Sequence, residues 1–103
     1  MITYATYQDF TAVYSFKMVS ESQINSYWLP YGALRVNEVF GCFYTTPFST
    51  TNYTAKDLSI HFGALGILER TIKQNDSAEL RNSIYLRITN VTCNGCFMIN
   101  HCK

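Results

Sequence analysis

The 103-residue sequence predicts a small all-β domain, an antiparallel β-sandwich, and three observations carry that expectation. Eight Tyr and seven Phe stand among abundant Thr, Ser and Asn, residue types that suit a pleated, half-buried surface. Apolar and polar residues alternate in "FTAVYSFKM" and again in "NSIYLRITNVT". Asn94-Gly95 follows the second run, and this dipeptide is the strongest short hairpin signal, because a type I′ turn needs positive φ at both central residues. With 48% apolar and 15% charged residues, the composition excludes intrinsic disorder and a charge-laced helical bundle.

Taken in order, the elements follow from local pattern. In residues 10–18, Phe10, Ala12, Tyr14, Phe16 and Met18 fall on one face, as in a half-buried strand. "VSESQINS" reads as a polar connection. Pro30 and Gly32 mark a turn, Leu34 and Val36 open a strand, and a further apolar run covers residues 39–44 until Pro47 stops it. "STTNYTAKD" reads as a loop or short edge strand. "LSIHF" alternates with Leu58, Ile60 and Phe62 together, which sets His61 on the opposite, solvent or interface side. Residues 64–80 read as strand or loop with one helical turn, since Gly63 and Gly66 weaken a helix. Ile84, Leu86 and Ile88 share a face of the clearest strand. There is no internal repeat and no linker. The expected organisation is one domain over 1–103, with an N-terminal strand and connection in 1–26 and the main sandwich in 27–103.

The closing segment "TCNGCFMINHCK" holds three of the four cysteines and one of the two histidines. A two-residue loop at Asn94-Gly95 pairs Cys93 with Cys96 and puts Phe97 and Ile99 on the face of Ile84, Leu86 and Ile88. A zinc site needs four ligands converging on one point. On strands, Cys96 and His101 point to opposite faces, and Cys102 lies about 20 Å beyond Cys96 at roughly 3.3 Å per residue. The expectation is therefore cysteines on a hairpin, with no metal and no cofactor. A Cys93–Cys96 bridge is disfavoured too, because the Cβ atoms of such a pair sit wider than a relaxed disulfide wants.

No nucleophile, base and orienting group have spacing that requires them to meet, and the carboxylates are scattered, so the protein is expected not to be an enzyme. A net charge of +1 without a basic run gives nucleic acid no electrostatic hold. No stretch approaches a membrane span, and no basic-then-apolar leader is visible at the start. The sequons at Asn52, Asn75 and Asn90 are weak signals in a chain so rich in Asn, Ser and Thr. Aromatic and hydroxyl groups remain as binding candidates. Tyr27, Trp28 and Tyr31 gather around a proline, and Tyr44, Asn52 and Tyr53 sit in "FYTTPFSTTNYT". Flat rings stack on sugar C–H surfaces or apolar groups, while amides and hydroxyls supply adaptable hydrogen bonds. For Trp28 a core or subunit contact is the competing role.

"YWLPYGALRVNEVFG", "CFYTTPFSTTNYTAKDLSI" and "IYLRITNVTCNGCFMIN" together resemble segments of the C-terminal receptor-binding domains of bacteriophage tail fibres. The likeness covers about residues 27–100. It departs where Cys96 stands between Gly95 and Phe97, and where the chain stops at Lys103. The resemblance implies a compact β-sandwich related in shape to H-type lectins. It also implies assembly as a homotrimer, contact with a bacterial surface glycan or protein receptor, and a place in the virion after synthesis in the bacterial cytoplasm. It carries no catalytic set. Two other readings stand beside it. One is a secreted or cell-surface immunoglobulin-like interaction domain, for which this sequence lacks a cysteine upstream of Trp28 to close the inter-sheet bridge. The other is a small zinc module built on the C-terminal Cys/His cluster.

Overall fold

A computed structural model describes residues 3–39, 53–71 and 78–94. Among the described residues there is no strand, and the chain folds as a set of helices. Helix α1 is Tyr7–Thr11, and α2 is Glu21–Gln23, which runs on through a π-helical turn, Ile24–Trp28, into α3, Leu29–Val39. Helix α4 is Tyr53–Thr71 and α5 is Ala78–Asn94. The expected all-β sandwich is overturned.

Local chemistry explains where the first helices begin. At α1, the Thr6 hydroxyl accepts from the Asp9 N–H at 3.2 Å while the Asp9 carboxylate accepts from the Thr6 N–H at 2.9 Å. At α2, Ser20 and Gln23 repeat the reciprocal arrangement at 3.2 and 3.0 Å. Each such box satisfies two backbone donors that a helix start leaves without partners. Asp9 is held below its ordinary carboxylate value chiefly by that Thr6 backbone bond.

The expected turn at residues 30–32 lies inside a helix. A proline there would leave the carbonyl four residues back without a donor and push its ring against it. The π turn resolves the conflict one residue earlier. The Leu29 N–H reaches back to the Ile24 carbonyl, widening the helix just before Pro30 enters it.

Helix α4 is the central element, with α3 and α5 each packed on it. Residues 58–64 are buried without interruption, so the alternation expected in "LSIHF" has no counterpart, and His61 is buried rather than on the solvent side. A helix enclosed by neighbours is apolar all round and loses the one-sided period that marks a surface helix. Glycine makes the α3–α4 crossing possible. A Cβ on Gly32 would overlap the Ser59 carbonyl oxygen and lie 2.9 Å from its carbon. A Cβ on Gly63 would stand 3.0 Å from the Trp28 carbonyl oxygen. On Gly66 it would stand 2.7 Å from the Tyr31 ring and 2.9 Å from the Trp28 ring. These glycines cost helix propensity, yet they let two backbones and two rings approach.

The expected strand over residues 10–18 is replaced by the end of α1 and an irregular segment that lies against α4. Phe10 is fully buried and Tyr14 nearly so, whereas Met18, placed on the same face by the strand reading, is 65% exposed. Residues 4–14 are tied down at three points. The Tyr4 hydroxyl donates to Asn37 of α3 at 2.6 Å, Asp9 pairs with Lys56 of α4 at 3.3 Å, and Tyr14 meets His61 of α4 at 2.9 Å.

Residues 82–92, expected as the clearest strand, lie in α5, which runs through Asn94. Ile84 is fully buried and Ile88 packs against the core, four residues on, while Leu86 is 65% exposed. A strand would put all three on one face; only the helical period separates Leu86 from its neighbours. The proposed reversal at Asn94-Gly95 therefore loses its first arm, and its second arm lies outside the described residues. The start of α4 likewise takes the place of the loop or edge strand expected over residues 53–57, residues 49–52 lying outside the described ones, and Leu34 and Val36, expected to open a strand, are part of α3.

Candidate functional site

Two places combine polar or aromatic side chains across elements. The first is interior. The Tyr14 hydroxyl stands 2.9 Å from His61 Nδ1, with the rings edge to face at 86° and centroids 5.8 Å apart. An O–H donor facing this nitrogen favours the neutral ring that carries its proton on Nε2. Arg87 of α5 covers the other side, its guanidinium carbon 5.3 Å from the Tyr14 ring centroid. Burial is the main cause that lowers the His61 pKa; Arg87 adds to it, and Asp57, one turn earlier, opposes it. Burial also raises the Tyr14 phenol, against the pull of Arg87. Neither surface cleft described below is lined by these residues. This cluster is a polar tie joining three segments, able to hold a proton in place.

The second place is exterior and is built by the π turn. Tyr27, Trp28 and Tyr31, all expected from the sequence as binding residues, come together here. Tyr27 and Trp28 meet edge to face at 4.5 Å, and Trp28 and Tyr31 do so at 5.7 Å. The Tyr27 and Tyr31 planes lie within 7° of parallel with centroids 6.4 Å apart. Trp28 is turned inward at 7% exposure and closes the core, so it takes the competing role, while Tyr27 is 48% exposed. Tyr44 and Asn52 lie outside the described residues. Tyr53 begins α4, away from the loop in which the sequence placed it.

Two clefts flank Tyr27. One, of about 190 Å³, is lined by Ser26, Tyr27, Pro30, Tyr31 and Leu34. Positions 27, 30, 31 and 34 follow the i, i+3, i+4, i+7 pattern of one helix face. Leu34 is 45% exposed at its end. Besides the two phenols, the lining has the Ser26 hydroxyl, which donates to the Ser22 carbonyl at 2.6 Å. Beside the stripe, Arg35 and Glu38 form an exposed ion pair at 2.8 Å. The other cleft, of about 400 Å³, is lined by Met18, Val19, Gln23, Tyr27, Trp28 and Arg70. Leu34 and Pro30 were missed as site residues from sequence because the Pro-Gly pair suggested a turn. The signal that could have found them was the capping box in "SESQ", which starts a helix ahead of the proline.

Among the described residues, no three His, Cys, Asp or Glu side chains cluster closely enough to hold a metal ion. Cys96, His101 and Cys102 lie outside them. No described helix is long and apolar enough to cross a membrane. Comparison with protein-family models, curated proteins and solved structures gives no match for this chain.

Proposed function

We propose that this protein is a non-enzymatic interaction module that associates with copies of itself through the outer face of the π turn and α3. One observation carries the reading. Tyr27, Tyr31 and Leu34 form an accessible apolar stripe on a helix whose opposite side is already closed by α4. A helix presenting anchors at this spacing matches how helices dock against one another or into grooves. A net charge of +1 puts little repulsion between copies, and the flanking Arg35 and Glu38 offer both signs to a neighbour. The expected number of copies, three, remains the starting point for measurement.

The tail-fibre resemblance is not carried further, because its segments are helical wherever they are described. The immunoglobulin-like reading falls with the strands. A glycan ligand is also less well supported at this groove. Sugars need several polar groups converging from more than one side, and this lining offers the Ser26 hydroxyl, which is already donating, and two phenols on one helix face. Sedimentation over a range of micromolar concentrations tests the proposal. Wild type is expected to form a defined oligomer. Leu34→Glu, which places a charge at the end of the stripe, is expected to be monomeric with an unchanged helical spectrum. Wild type that stays monomeric throughout would overturn the reading.

A further inference from the structure

The larger cleft goes beyond the self-association reading and does not depend on it. Its walls come from three parts of the chain. Met18 and Val19 precede α2, Gln23, Tyr27 and Trp28 line it from α2 and the π turn, and Arg70 reaches it from the end of α4. At about 400 Å³ it falls in the range of small-molecule sites, which run from about 300 to 1,000 Å³.

Its polar groups have one character. The Gln23 side-chain oxygen is occupied by the Ser20 N–H at 3.0 Å, so its amide NH₂ is what remains to offer. Arg70 can only donate, through a planar fork that fits a carboxylate with two parallel bonds. Among the described residues, no carboxylate lines the cleft to neutralise that guanidinium. The Tyr27 hydroxyl can donate or accept. The rest of the wall is apolar or aromatic. A single fixed cation suits a single negative charge, and the apolar wall suits a body of rings or methylenes.

We propose that this cleft binds a small amphipathic carboxylate, its acid group on Arg70 and Gln23 and its apolar body along Val19, Trp28 and Met18.

Trp28 is the only tryptophan and lies in the cleft wall, so its emission reports occupancy directly. The probe is 3-phenylpropionate, with 3-phenylpropionamide as its neutral twin. Titrations run in the Leu34→Glu background, where a change of association cannot imitate binding. The acid is expected to shift the emission saturably and to bind about tenfold more tightly than the amide, the scale of one charge-assisted hydrogen-bond pair. Arg70→Gln is expected to bring the acid down to the amide's affinity, and Arg70→Lys to keep a preference for the acid. Absence of a saturable shift overturns the proposal. So does equal binding of acid and amide, or a preference that survives Arg70→Gln. A monomeric wild type would sink the self-association reading and leave this one standing.

Discussion

The two sides of α3 are built from opposite materials. Towards α4 it presents Gly32 and Ala33, with Leu29 and Val36 at either end, and Gly32 lies too near the Ser59 carbonyl to admit a methyl group. Away from α4, the π turn and α3 carry Tyr27, Tyr31 and Leu34, larger side chains left partly in water. A helix that served only to cover a core would reverse this, with its bulk inside. Small residues inside bring the backbones close, and the aromatic bulk outside remains for something else to cover. The same contrast runs along α4, where Gly63 and Gly66 leave room for Trp28 and Tyr31.

The largest expected break comes from Gly32→Ala. The new methyl meets backbone atoms of Ser59, which have nowhere to move, so a loss of about 3 kcal/mol or more is expected from chemical denaturation. Gly66→Ala sharpens the contrast. Its methyl meets ring atoms of Tyr31 and Trp28 that can turn aside. Part of its strain is also offset by better helix propensity, about 1 kcal/mol in favour of Ala. A net loss of about 1 kcal/mol is expected there, and equal losses at the two sites would contradict the crossing.

The same comparison shows what the sequence could reveal. The gathering of Tyr27, Trp28 and Tyr31 was legible, and the sequence also holds the box signals at Thr6–Asp9 and Ser20–Gln23. What misled was physical. Gly63 and Gly66 look like helix breakers until the rings that occupy their space are known. Pro30 looks like a stop until the π turn ahead of it is seen. Unbroken burial of residues 58–64 erases the helical period there, and a short run such as "LSIHF" then mimics alternation. Phe10 and Tyr14 were rightly placed together, but in an irregular segment, because two residues on one side of a short stretch do not define its period.

Next in size is the pair on α5. Ile84→Ala removes a fully buried side chain, and a loss of about 3 kcal/mol is expected. Leu86→Ala, at a 65% exposed position, should change stability by less than about 0.5 kcal/mol. On a strand the two would share a face and respond alike, so matched melting curves for both variants would return residues 82–92 to a sheet.

Smaller still is the polar tie. Tyr14→Phe leaves His61 Nδ1 buried without its hydroxyl, at an expected cost of about 1–2 kcal/mol. The tie also sets a pH dependence. His61 titrates below its ordinary 6.5, so under acid the unfolded chain takes up this proton before the folded one. Stability is therefore full above about 6.5 and falls as pH drops from there towards the lower folded value. Burial of the ring sets the fall and Arg87 adds to it, while Asp57 softens it. His61→Leu should flatten the melting temperature between pH 7 and 5 relative to wild type. His101 is common to both proteins and cancels in the difference. An unchanged slope would contradict the buried pair.

The most direct test places one glutamate on each side of α3, at adjacent positions, and reads both thermal unfolding and mass in solution. Ala33 is buried against α4 and Leu34 opens outward. Ala33→Glu is expected to lose cooperative unfolding, whereas Leu34→Glu should melt close to wild type and sediment as a monomer beside an oligomeric wild type. Two variants that fold equally well, or a wild type no heavier than Leu34→Glu, would contradict the account.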